Sequence, residues 1–382
     1  MTLDLLRVRL LHPAPRPVWT SLLLVAMLFV ACWAFRPRAE AVAAPPTIEA
    51  APAAVPDTDD TEDWVESTLA SLTLREQVAQ LVFPWIRGGH IAPGSAEYAR
   101  LRRWIAEDRV GGLIISRGTG SASAATLRAA QAMAGVPLLI VSDFETGPRM
   151  RLTDGTYFPP AMAFGATRSE ALAREAGRAT GREARAVGIH MTLGPVLDVN
   201  SNPRNPIINI RSFGEDPALV ALLSSAWISG AREAGLLTAG KHFPGHGDTE
   251  VDSHIGLATI SAGAERLSGT ELVPFRAAIT QGMDGVLVGH IAVTGVEGPA
   301  APPASLSRTM IGGMLREQLG FDGLVITDAL NMGAITRRYP VAEAAVLALA
   351  AGADVLLQPP GERAVIDAIV HAVESGRIPR HR

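Results

Sequence analysis

Residues 236–254 read LLTAGKHFPGHGDTEVDSH, an apolar run that gives way to three histidines, two aspartates, a glutamate and the only lysine of the chain. The run from Leu236 to Phe243 has the length and composition of a buried strand, and Pro244, Gly245 and Gly247 forbid regular structure beyond it. The stretch is therefore a strand whose C-terminal end turns polar. Working outward, seven further apolar runs occur at 80–86, 112–116, 137–143, 189–199, 285–290, 323–328 and 353–358. Between them Ala/Arg/Glu-rich stretches predict helices near 95–108, 121–134, 168–187, 216–234, 266–281, 307–319 and 340–351, with a last one near 361–375. Eight strand–helix units in roughly 310 residues is the arithmetic of an α/β (β/α)8 TIM barrel. A doubly wound open sheet is the alternative topology.

Barrel active sites lie where strands end. Asp143, Asp198, Lys241-His242, His290 and Asp328 each close an apolar run, which points to one shared pocket that is acidic, basic and imidazole-bearing at once. An isolated aspartate at such a place would equally read as a helix cap.

Composition narrows the class further. Thirty-four basic and 38 acidic side chains give a net charge of -4, with no polybasic stripe, so a nucleic-acid partner has no electrostatic support. Cys32 is the only cysteine, which excludes an intrachain disulfide and a four-cysteine zinc site. Residues 18–35 carry no charge and are flanked by arginines on both sides. As a helix they would rise about 27 Å, so 1–36 reads as a signal peptide or membrane anchor, and Cys32 also fits a lipidation site imperfectly. The Ala/Pro-rich tract 37–62 reads as a tether, leaving 63–382 as a single catalytic domain held at the cell envelope.

The polar segment after Phe243 carries the sharpest chemical signal. A chain that otherwise uses only arginine places Lys241 here, where a compact ammonium with rotatable donors differs from a planar fork. Beyond Pro244 a mobile loop is expected. Asp252 and His254 are two apart, a spacing that in extended backbone turns both side chains to one side. A carboxylate beside an imidazole orients the ring and favours its protonated form, which makes His254 a proton-donor candidate. His242, His246, Asp248 and His254 could instead bind a divalent metal, although the spacing of the first two spans Pro-Gly and not a helix. His246 and Asp248 read best as groups that hydrogen-bond the loop to itself.

These stretches resemble glycoside hydrolase family 3, in particular its β-N-acetylhexosaminidase branch. The resemblance rests on KHFPGHG closing on DSH (241–254), Asp143-Phe144-Glu145-Thr146-Gly147 with Arg151, GPVLDVN (194–200), RSFGEDP (211–217) and ITDALNM (326–332), and spans roughly residues 64–378 in order. It implies a retaining glycosidase that releases terminal β-linked N-acetylhexosamine, with N-acetylglucosamine the expected sugar, from glycans such as cell-wall fragments. Asp328 would be the nucleophile, His254 the acid/base and Asp252 its orienting carboxylate. Asp143, Arg151, Arg211, Lys241 and His242 would hold the sugar, and the scheme needs no metal and no organic cofactor. The family's D-x-E-G-G-R pattern is broken at Thr146 and Pro148, which leaves the contacts of that stretch open. A β-glucosidase or glycoside phosphorylase of the same family, and an inactive envelope-tethered glycan-binding protein, are the rival readings. No feature of the sequence specifies an oligomeric state.

Overall fold

Apolar runs stopped by polar or breaker residues become short parallel strands, most of them followed by helix. The structure, a computed structural model, describes residues 58–382. The expected N-terminal targeting segment, with Cys32, and most of the tether lie outside these residues. The end of that tether, from Thr58, is already helical. Among the described residues no helix is long and apolar enough to cross a membrane.

The strands are β1 (Val82–Phe83), β2 (Trp85–Arg87), β3 (Gly112–Ser116), β4 (Leu139–Ser142), β5 (Met191–Thr192), β6 (Leu237–Phe243), β7 (Ala258–Ile260), β8 (Gly285–Val288), β9 (Ile291–Val293), β10 (Leu324–Thr327) and β11 (Leu356–Leu357). Seven form one curled parallel sheet in the order β10-β8-β6-β5-β4-β3-β2, and β1 pairs in parallel with β11. Backbone bonds run on beyond the sheet's two ends. Thr327 N–H donates to Val355 O at 2.9 Å, Gln358 N–H to Phe83 O at 2.9 Å and Ile114 N–H to Pro84 O at 3.0 Å. Phe83, Ile114, Val141, Met191, Ala239, Leu287, Ile326 and Val355 meet in one buried cluster on the concave face.

Two expected runs are interrupted, and each contains a proline. Pro84 separates β1 from β2, and in the run at 189–199, whose regular strand is Met191–Thr192, Pro195 offers no N–H to a ladder. The latter run still follows β6, with Leu197 N–H donating to Lys241 O and Lys241 N–H to Pro195 O. The helix expected at 266–281 is two helices, Ala264–Gly269 and Leu272–Thr280. Not foreseen was the small parallel pair β7–β9, which anchors the chain just after His254.

Helices Glu170–Val187 and Pro217–Glu233 show how the outer layer is specified. Ser169 caps the first, its side chain accepting from Leu172 N–H; Asp216 caps the second, with Pro217 at its first position. The two helices touch backbone to backbone, since a Cβ at Gly177 would lie 2.1 Å from Trp227 O and one at Gly230 1.9 Å from Arg174 O. Any larger residue there would push the layer outward.

Candidate active site

The polar ends of β4, β6 and β10 open into one cavity of about 370 Å³. Its lining includes Asp143, Glu145, Arg151, Arg211, Lys241, His242, His246, Ser253, His254, Asp328, Asn331 and Gln358, above an apolar floor of Ile114, Leu193, Leu287 and Leu357. Of the eight residues to which the resemblance gives a role, the structure brings seven to this lining. The eighth, Asp252, stands behind His254.

One wall is a buried ion network. The Lys241 ammonium, on a side chain only 4% exposed, lies 2.9 Å from Asp143 Oδ1 and 2.8 Å from Glu145 Oε1. Arg151 Nη2 reaches Asp143 Oδ2 at 2.9 Å. Arg211 grips Glu145 with two bonds of 2.8 Å, from Nε and Nη2. Three cations thus surround two carboxylates, and each oxygen of the pair has a charged donor. Burial alone would raise the Asp143 and Glu145 carboxyls; Lys241 outweighs it, with Arg151 for the first and Arg211 for the second, so both lie below the ordinary carboxylate value, Glu145 well below. The reverse holds for Lys241, which burial would lower and the two carboxylates raise, with a net upward shift. The wall is charged as drawn across the neutral range. Arg151 Nε is buried there with no hydrogen-bond partner.

Asp328 faces this wall from β10. Its N–H donates to Val288 O at 2.9 Å and its Oδ1 accepts from Ala329 N–H at 2.8 Å. Burial pushes the carboxyl up, but His290, His242, the Ala329 N–H and Lys241 together hold it below the ordinary value. An ionised oxygen in an enclosed site is a competent nucleophile or cation stabiliser.

His254 lines the same cavity from the segment after β6. Asp252 Oδ1 accepts both from His254 N–H at 2.9 Å and from the ring Nδ1 at 2.7 Å, so Nε2 is the nitrogen left for a ligand. Burial would raise the Asp252 carboxyl, and the bonds from His254 backbone and ring bring it below its ordinary value instead. The pairing arises differently from the extended backbone expected. Ile255 and Gly256 N–H groups both bond Asp252 O, so the segment is a turn and the carboxylate folds back over it. His254 itself is 60% exposed at its side chain.

Most of the expected mobile loop is packed, with Glu250 and Val251 exposed at its edge. His246 is buried, with Nδ1 2.6 Å from Thr249 Oγ1 and Nε2 3.0 Å from Ser253 Oγ, an internal brace. Asp248 faces Arg266. Among the described residues no group of three or more His, Cys, Asp or Glu side chains is arranged around a metal position.

Two strand ends expected at the pocket stand behind it. Asp198, fully buried, takes His242 Nδ1 on Oδ2 at 2.7 Å and the His242 and His246 N–H groups on Oδ1 at 3.2 and 2.6 Å. His290, also buried, bonds Ser305 Oγ at 2.7 Å and Ala329 O at 3.0 Å, and burial holds its pKa down against the pull of Asp328. Both orient residues that line the cavity. Glu145, Asn331 and Gln358 line the cavity without having been given a role from sequence, and His246, expected to brace the loop, does so and lines the cavity as well. The alternation applied to Asp252 and His254 would have found Glu145, two residues beyond Asp143.

With this geometry in place, the comparisons with known proteins converge. The model of the glycosyl hydrolase family 3 N-terminal domain matches residues 73–382, and the chain belongs to that family. A β-N-acetylglucosaminidase/β-glucosidase of Cellulomonas fimi is 34% identical over 308 residues, 78% of this chain and 53% of that protein. The chain thus spans about half the length of that relative. β-Hexosaminidase LpqI of Mycobacterium tuberculosis is 36% identical over 326 residues, 81% of this chain and 80% of that protein. Among solved structures, a family 3 β-N-acetylglucosaminidase from Paenibacillus sp. superposes with a TM-score of 0.75 at 42% identity, over 81% of this chain and 60% of that one.

Proposed function

We propose that the chain is a retaining β-N-acetylhexosaminidase built on a (β/α)8 barrel. The barrel reading is supported by the bonds that continue past both ends of the curled sheet and by the cluster drawing a side chain from nearly every strand. The hexosaminidase reading is supported by the relatives named above and by the loop that ends on Asp252 and His254. One observation carries the mechanism: an ionised carboxylate on a rigid strand end and a carboxylate-braced imidazole on a loop line the same sugar-sized cavity.

Asp328 attacks the anomeric carbon as the bond to the leaving oxygen breaks, and His254 Nε2 gives that oxygen its proton. A water then loses a proton to the same nitrogen and attacks the carbon, releasing Asp328. The carboxylate pair of most glycosidases is altered here, with an imidazole taking the acid/base task. Asp252 keeps the ring oriented through both steps. Asp143, Arg151, Arg211, Lys241 and His242 supply fixed acceptors and donors for vicinal hydroxyls, so orientation is prepaid by the fold. The flanked apolar segment 18–35 supports a place at the cell envelope, with glycans of the wall as substrates.

The test is turnover by the purified protein on paired chromogenic β-glucoside and β-N-acetylglucosaminide, with and without inorganic phosphate and chelator. Preference for the N-acetylglucosaminide with retained anomeric configuration is expected, and Asp328→Ala should lower its turnover at least about 10⁴-fold while leaving product binding largely intact. An inverted product, or an Asp328→Ala variant of ordinary activity, would defeat the scheme.

A further inference from the structure

We propose that Gly333 is a positioning residue that sets where the acid/base imidazole stands relative to the nucleophile; this rests on the roles given to His254 and Asp328 above. The two groups come from separate elements, one after β6 and one at the end of β10, so a contact between those elements must fix their distance. The contact is at Gly333. Its N–H donates to His254 O at 3.1 Å, and the next N–H, of Ala334, donates to Ser253 O at 3.3 Å.

The fit leaves no space for a side chain. A Cβ at residue 333 would lie 2.6 Å from Ile255 O, 2.8 Å from His254 O and 3.0 Å from Ile255 C. These are backbone atoms, which no rotamer change can clear, so the loop itself would have to retreat. It is braced from the other side as well, where Ser253 Oγ bonds the buried His246. The segment carrying Gly333 cannot retreat easily either. Asp328 is tied to Val288 O, and Leu330 N–H donates to Leu357 O at 2.9 Å. His254, the most exposed catalytic group, is thus held by Asp252 and by backbone contacts and not by burial of its ring.

A displaced acid should matter only when the leaving group needs a proton. General acid catalysis contributes about 10²–10⁴-fold, and a misplacement of about 1 Å can cost about 10²-fold. Gly333→Ala is therefore expected to lower kcat/KM about 10- to 100-fold for an alkyl or disaccharide N-acetylglucosaminide, and less than about threefold for the 2,4-dinitrophenyl one. Its kcat for the dinitrophenyl substrate should fall, because the second step needs the base, and azide should restore it. Azide forms its carbon–nitrogen bond as the carbon–oxygen bond to Asp328 breaks, with no proton to remove.

His254→Ala is measured beside it. Leaving-group dependence in both variants, with azide rescue, supports the assignment. If His254→Ala shows the dependence and Gly333→Ala does not, the positioning role falls while the acid role stands; if His254→Ala shows none, the acid role falls and the inference with it. A Gly333→Ala protein without a cooperative thermal transition, or with equal losses on both substrates, would mark the glycine as a requirement of the fold alone and overturn the proposal.

Discussion

The two sides of the cavity are built on opposite principles. The wall around Lys241 is buried, and its side chains lock one another through charge-assisted bonds at strand ends. The segment around His254 presents an exposed ring, fixed by one carboxylate and by main-chain contacts. On the roles proposed above, the difference follows from the chemistry each side would serve. A bound ring gains from donors that never move, whereas a proton donor must leave room for an aglycone to depart and a water to enter.

That contrast can be broken most forcefully at the wall. Lys241→Met leaves Asp143 and Glu145 without their shared ammonium, and breaking a buried pair in this way costs about 3–5 kcal/mol. Urea unfolding should show that loss together with loss of turnover, and a variant of unchanged stability would mean the wall is far better solvated than its burial indicates.

A second measurement probes the brace beneath the loop. Burial, with the nearby His242, lowers His246 from an ordinary value of 6.5 to about 4. Above pH 6.5 both folded and unfolded states keep this ring neutral, so its contribution is whole. As the pH falls from 6.5 towards 4 only the unfolded chain takes the proton, and stability drops by about 3 kcal/mol from this group. His246→Gln should flatten the pH dependence of unfolding in that window; an unchanged slope would place the titration elsewhere.

The smallest effect is expected at the loop's outer edge, where Arg204 pairs with Glu250 and both side chains are largely exposed. Arg204→Ala should change stability by less than about 1 kcal/mol, as exposed pairs generally do. A larger loss, read by the same urea titration, would show that the loop depends on its rim and would narrow the contrast with the wall.

Much of this arrangement was legible because it repeats. Apolar runs closing on Asp143, Lys241 and Asp328 mark strand ends, and those three do reach the cavity. Asp198 and His290 carry the same signal and point behind it, because β5 ends at Thr192, well before Asp198, and β8 stops at Val288, two residues before His290. Which face a last residue takes depends on such breaks, and the pattern of residue types does not record them. The approach of Asp252 to His254 was foreseen from spacing, yet a turn produces it. The grip of Gly333 on the loop leaves no trace in residue chemistry, since it consists of main-chain atoms and a missing methyl.

One consequence reaches into how this protein can be handled. Its only lysine is sealed between two carboxylates with a raised pKa, so it is a poor nucleophile while the wall is intact. Acylating reagents should therefore label this side chain, unlike the N-terminal amine, only as the wall opens, which makes the modified lysine peptide a gauge of local unfolding at the cavity.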